Sequence, residues 1–263
     1  MKPLIYEIKN GGGCKMLDKT ERYRRLVKEV SSCTDCDKIK SKSKSKKTNG
    51  TIVLEHDKNR TEINLWSHWQ GSLDAEIMVI GQDWGRLPDM NEMSLFTSGT
   101  VYPSILGDSS TPKSPTDENL VKLFFDALKI DAAYKNDRLF FTNSILCYKT
   151  GNLSGKTCDG WHKQCNEKYI VRLIDIIRPK ITIALGAKAL HGLQKCGTFT
   201  PNTGSKIKLK ALVENNTPIA LTLRNSNFST TVFPVYHCGS FSRINRPHDK
   251  QIKDWQRIVP YLN

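Results

Sequence analysis

The sequence predicts an α/β protein, a three-layer αβα sandwich around a four-stranded parallel sheet. Three observations predict it. Short apolar runs recur at 77–80, 138–143, 180–186 and 230–237, with little polar alternation, as in strands buried on both faces. Segments with apolar residues at helical spacing separate them. Three of the runs end in polar residues, and in open α/β sheets the carboxyl ends of the strands are where ligands bind.

The elements follow in order. Residues 16–30 predict a helix, with Leu17, Tyr23, Leu26, Val27 and Val30 on one apolar face. The Lys/Ser run after it has neither periodicity nor apolar anchors and reads as a flexible basic insertion over 37–50. Residues 51–66 predict a hairpin turning near Asp57–Asn59, with Trp66 and Trp69 packing beyond it. Ile77, Met78, Val79 and Ile80 form the first strand, inside AEIMVIGQDWG (75–85). A long polar loop then leads to a helix in SPTDENLVKLFFDALKI. Ser114 or Thr116 can cap it, Asp117 and Glu118 suit its positive end, and Leu120, Leu123, Phe124 and Leu128 face inward. Strand two is 138–143, and a helix covers about 161–177 until Pro179 stops it. Strand three, KITIALG at 180–186, leads into a helix, AKALHGLQ. Strand four is 230–237. The final helix carries Ile252, Trp255, Ile258 and Val259 on one side. The whole chain, 1–263, reads as a single domain.

Composition narrows the partners. Forty Lys and Arg against twenty-six Asp and Glu leave a formal charge of +14. The charge is uneven: 38–47 holds six lysines and no acid, and Arg243 and Arg246 flank the third polar strand end. Both places suit a polyanion such as nucleic acid. No stretch is apolar enough to span a membrane, and MKPLIYEIKNGGG lacks the apolar core of a signal peptide. The expected setting is cytoplasmic and the expected state a monomer.

Eight cysteines in a cytoplasmic chain argue for thiolate ligands over disulfides. Cys33 and Cys36 form C-x2-C, half of a tetrahedral site. Candidates for the other half are Cys147, Cys158 and Cys165. Cys147 follows strand two and Cys165 starts a helix, so these two are preferred to Cys158 in its glycine-rich loop. Four thiolates suit a [4Fe–4S] cluster or zinc, and spacing alone does not choose. Cys196 reads as a buried core residue, and Cys238 adjoins His237.

The order and spacing of GQDWG at 81–85, TNSILC at 142–147, Cys165, LIDIIRPKITIALG at 173–186 and YHCGSFSR at 236–243 resemble the uracil-DNA glycosylase superfamily. The likeness covers about 17–259 and is nearest to the iron–sulfur branch called family four. The fold implied is uracil-DNA glycosylase-like. The cofactor implied is a [4Fe–4S] cluster on Cys33, Cys36, Cys147 and Cys165, with zinc as the alternative. The chain also departs from the family. The iron–sulfur branch has glutamate, alanine and proline where Gln82, Asp83 and Trp84 stand. The classical branch has proline and a methyl-excluding tyrosine where Trp84 and Gly85 stand. The histidine motif usually continues with proline, and here with Cys238.

The resemblance implies hydrolysis of the N-glycosidic bond of uracil in DNA, a base-excision repair reaction. Asp83 would orient water and stabilise the cationic sugar, and His237 would donate to uracil O2. Asn143 would read the uracil edge. Gln82, Trp84 and Gly85 line the base pocket, and Phe96 is the chosen stacking platform. Phe241 corresponds to the wedge that extrudes the base. Ser240 and Ser242 would hold flanking phosphates, and Arg243 and Arg246 would neutralise them. No lysine occupies an obvious nucleophile position, so a monofunctional enzyme is expected. Two other readings stay open: a glycosylase for another damaged base, and a non-catalytic protein that binds uracil-DNA or nucleic acid.

Overall fold

The computed structural model describes residues 18–38, 71–83, 115–132, 137–146, 157–201, 208–216 and 218–262. The hairpin expected at 51–66, nearly all of the basic insertion, and Trp84, Gly85, Phe96 and Cys147 lie outside these residues. Asp37 and Lys38, which were expected in the insertion, close a short 3₁₀ turn, Asp35–Lys38.

Helix α1 (Lys19–Ser31) starts at Asp18, whose side chain accepts from Glu21 N at 2.7 Å and so satisfies one unpaired N–H of the first turn. Tyr23, Leu26, Val27 and Val30 are buried on one face, as their spacing predicts. Strand β1 (Ile77–Gly81) leads across the chain to α2 (Pro115–Leu123), which ends in a π turn, Phe124–Leu128. Strand β2 (Leu139–Asn143) follows. Helix α3 (Asp159–Cys165) passes through a second π turn (Asn166–Ile170) into α4 (Val171–Ile177). Arg178 closes it in the left-handed region, φ 56°, just before Pro179. Then come β3 (Ile181–Leu185), α5 (Gly186–Leu193), β4 (Gly197–Thr200), α6 (Leu209–Glu214), β5 (Ile219–Leu223) and β6 (Ser229–Val235). Helices α7 (Ser240–Asn245) and α8 (His248–Gln256) follow, with a 3₁₀ turn, Val259–Tyr261.

The sheet order is β2-β1-β3-β6-β5-β4. The four expected strands are β2, β1, β3 and β6, all parallel and adjacent. The expectation of a four-stranded sheet is corrected: among the described residues the sheet has six strands, β5 and β4 extending it antiparallel beyond β6. The signal for β5 is present in the chain, since Ile219, Leu221 and Leu223 are buried in alternation, the pattern of a strand covered on one face.

Alternation along the central strands sorts two cores. Met78, Ile80, Phe140 and Ala184 face one side, where α1, α4 and α5 pack. Ile77, Val79, Leu139, Phe141, Ile181 and Ile183 face the other, against α2, Trp255 and Ile258. The result is the three-layer sandwich, with the carboxyl ends of four parallel strands aligned on one edge.

Candidate active site

Register places the site. Gly81 at the end of β1 pairs with Asn143 at the end of β2, and Leu185 of β3 pairs with Val235 of β6. The residues just beyond these ends therefore emerge together: Gln82 and Asp83, Asn143 and Ser144, Gly186, and His237. The ladder continues past the strands, with Ser144 N donating to Gly81 O at 2.9 Å and Ile145 N to Gln82 O at 3.0 Å. Gly186 has φ +88°, a conformation L side chains rarely adopt. A β-carbon there would lie 3.5 Å from His237 Cβ, so the backbone turn passes close beneath the histidine.

Gln82 Nε2 donates to Asp83 Oδ2 at 2.7 Å, which orients the carboxylate. Asn143 is only 8% exposed. A β-carbon on Gly81 would lie 2.2 Å from Asn143 Oδ1, so the amide rests against bare backbone. His237 is half-buried, and its Nδ1 accepts from Gly239 N at 2.9 Å, which directs the imidazole proton to Nε2. Burial pulls its pKa below the usual imidazole value, and the Asp83 carboxylate pulls the other way. Burial therefore prevails, and the ring is neutral at pH 7 with Nε2–H as donor.

Helix α2 clamps the histidine loop through Asn119, which the sequence did not single out, and Thr116, which it offered only as a helix cap. Asn119 Nδ2 donates to Cys238 O at 2.8 Å, and Asn119 Oδ1 accepts from Arg243 at 2.8 Å. The Cys238 thiol donates to Thr116 O at 3.5 Å. Cys238 is fully buried and its thiol is pushed up to about 12, by burial first and then by Asp117. It is a packed, protonated core residue. Ser240 and Arg243 are exposed on α7 and Ser242 is half-buried. Ile244 on the same helix is 78% exposed. Arg246, expected to neutralise a phosphate, has partners within the protein. Its guanidinium pairs with Asp254 at 2.9 and 2.5 Å and lies 5.2 Å from the Tyr236 ring centroid.

The thiols gather beside α3. Cys36 packs with Ile145, Trp161 and Cys158. A hydrogen bond with Cys165, then burial, then the nearby Cys33 and Cys158 thiols push the Cys36 thiol up. Cys33, Cys36 and Cys165 are buried and Cys158 is half-buried. Cys158, set aside in the sequence, is thus part of this neighbourhood. Among the described residues no three His, Cys, Asp or Glu side chains are placed to hold a metal ion. Cys196 is fully buried, as its sequence context predicts.

The family model for the uracil DNA glycosylase superfamily matches residues 68–262, which span the sheet, Asp83, Asn143 and the histidine loop. The chain belongs to the uracil DNA glycosylase superfamily. Membership supports a DNA glycosylase type of activity, a hydrolysis carried out on DNA. The match begins beyond the basic insertion and the Cys33–Cys36 pair. No curated protein matches the chain. No helix among the described residues is long and apolar enough to cross a membrane.

Proposed function

We propose that this glycosylase is monofunctional and removes uracil from DNA. One observation carries the reading: Asp83, Asn143 and His237 emerge from the aligned carboxyl ends of β1, β2 and β6. A base must be flipped out of the stack to enter such a site. As the N-glycosidic bond stretches, positive charge grows on the sugar and negative charge on the base, and groups preorganised toward each lower the barrier. The Asp83 carboxylate, oriented by Gln82, orients water toward C1′ and stabilises the cationic sugar. Neutral His237 donates Nε2–H to uracil O2 as charge gathers there. The Asn143 amide donates to O4 and accepts from N3–H. Cytosine offers the reverse pattern, which leaves buried groups unpaired at about 1–3 kcal/mol each.

The α7 surface suits the DNA face. Ser240, Ser242 and Arg243 offer phosphate contacts, and exposed Ile244 adds apolar surface beside the Phe241 position. Arg246 contributes by holding α7 to α8 through Asp254. Trp84, Gly85 and Phe96 complete the base pocket in this reading. Gly85 brings no side chain to the position of the classical branch's methyl-excluding tyrosine, which leaves Trp84 as the residue that would have to exclude a 5-methyl group.

The thiol group supports a cofactor reading. Its donors are all soft sulfur, the chemistry that suits an iron–sulfur cluster or zinc. Cys33, Cys36 and Cys165 would hold a [4Fe–4S] cluster with Cys147, and zinc is the alternative. The group's contribution when bound would be a cross-link tying the end of α1 to α3 and to the segment after β2. Protein purified without oxygen is expected to be brown with about four irons per chain. Stoichiometric zinc without iron would overturn the cluster.

The test of the activity is single-turnover excision from duplexes carrying uracil, hypoxanthine, or thymine opposite guanine. Uracil is expected to leave fastest, with slow release of thymine. Faster hypoxanthine release would shift the substrate to another damaged base, and no release of any base would leave a DNA-binding protein.

A further inference from the structure

Behind Asn143 lies a buried polar group that none of the steps above uses. Ser144 is completely buried. Asn166 Nδ2 lies 3.0 Å from the Ser144 carbonyl oxygen and 2.7 Å from Ser144 Oγ, which share one amide proton. Asn166 Nδ2 also lies 2.8 Å from His162 O, so this one amide holds both β2's extension and helix α3. His162 Nδ1 lies 2.8 Å from Ser144 Oγ, and its Nε2 lies 2.9 Å from Thr157 Oγ1. A hydroxyl carries one proton. Because Ser144 Oγ already accepts from Asn166, its proton goes to Nδ1, and the imidazole proton sits on Nε2 toward Thr157. Burial, helped by Lys188, lowers the imidazole to about 4, so this neutral tautomer persists at neutral pH. Helix α5 leaves room for the group at Gly192, where a β-carbon would lie 2.2 Å from Ser144 Oγ and 2.7 Å from Asn166 Nδ2.

Asn143 depends on what fixes Ser144. Its backbone sits at the last rung of a parallel ladder, where pairing ends. The bond from Ser144 N to Gly81 O carries the register one residue further, but the next carbonyl needs a partner that the sheet does not supply. Asn166 supplies it. We infer that Ser144, His162 and Asn166 are positioning residues for base excision, a buried group that holds Asn143 against Gly81 and beside Asp83. The inference rests on the reading of Asn143 as the residue that recognises the base. A purely structural group would lower stability when cut and act independently of Asn143.

A double-mutant cycle separates the two. Single-turnover excision of uracil would be measured for the full chain and for Asn143→Ala, Ser144→Ala and the double variant, with each fold checked by thermal melting. Affinity would be measured with a duplex carrying an abasic-site analogue. Displacing a recognition group by a fraction of an ångström to an ångström slows reactions by about 10–100-fold. Ser144→Ala is expected to slow the parent by that factor, to slow Asn143→Ala by less than about twofold, since the coupling has been removed, and to leave the affinity unchanged. Equal slowing in both backgrounds, or none in the parent, would overturn the inference. If Asn143→Ala itself excises uracil at the parent rate, the base-reading assignment fails and takes the inference with it. Should Ser144→Ala not fold, the His162 series replaces it. His162→Asn sets an amide atom near the Nδ1 position and is expected to keep the rate within about threefold, while His162→Ala is expected to lose it. Equal rates for the two would count against the positioning role.

Discussion

Asn143 and Gly81 show how much of the chemistry is set by one missing side chain. A β-carbon on Gly81 would meet Asn143 Oδ1 at 2.2 Å. That atom is the end of a side chain, so it can move away at little expense in stability. Gly81→Ala is therefore expected to melt close to the parent and to bind DNA normally, yet to excise uracil at least about tenfold more slowly. Single-turnover rates alongside a thermal melt check this, and parent-like excision would show that the amide does not work from this position. The same residues show what a sequence makes legible. Asp83, Asn143 and His237 stand out because each ends an apolar run, where a parallel strand delivers its chemistry. His162 and Asn119 did not stand out, and Thr116 did so only as a helix cap, because their partners lie 18 to about 120 residues away, in contacts only packing creates. Arg246 looked like a phosphate contact beside Arg243. Its pairing with Asp254 across the α7–α8 turn follows from how those two helices meet.

At the scale of elements, the four parallel strands and the helices between them were legible from apolar runs and helical spacing. Strands β4 and β5 were not predicted, although the alternation of β5 is present in the chain. β4 is four residues with one buried side chain, too little pattern to register. The helix expected over about 161–177 starts at Asp159 and contains a π turn, Asn166–Ile170. Asn166, at its start, is the residue that reaches both Ser144 and His162. Helix α3 thus couples to β2 through a buried neutral imidazole, with a consequence for acid stability. The folded His162 takes up a proton only near 4, against an ordinary value of 6.5. The unfolded chain protonates first as pH falls, so the stabilisation is full above 6.5 and is lost as pH falls toward 4, by about 3 kcal/mol. Urea unfolding of the parent and His162→Gln is expected to show their stability difference narrowing by that amount across this window. Asp117, pushed up to about 7 by burial and Glu118, titrates in both proteins and cancels in the difference. A difference that stays constant with pH would show that the ring is already charged or exposed.

At the scale of the whole molecule, the aligned strand ends, the superfamily match over 68–262 and a formal charge of +14 point the same way, to an enzyme that works on DNA. The thiol group runs along α3, from Cys158 just before its first residue to Cys165 at its last, near the end of α1. Under the proposed cluster assignment, Cys36→Ser and Cys165→Ser are expected to lose cofactor and stability together, because ligation is linked to folding. The division of labour within the site is tested most directly by single-turnover excision of uracil from a U·G duplex by the parent, Asp83→Asn and His237→Ala, with DNA affinity measured in parallel. Both variants are expected to bind DNA like the parent and to excise uracil about 10²–10⁴-fold more slowly, the usual loss for one well-placed catalytic group. Excision at the parent rate by both variants would contradict the assignment of the active site to the ends of β1 and β6.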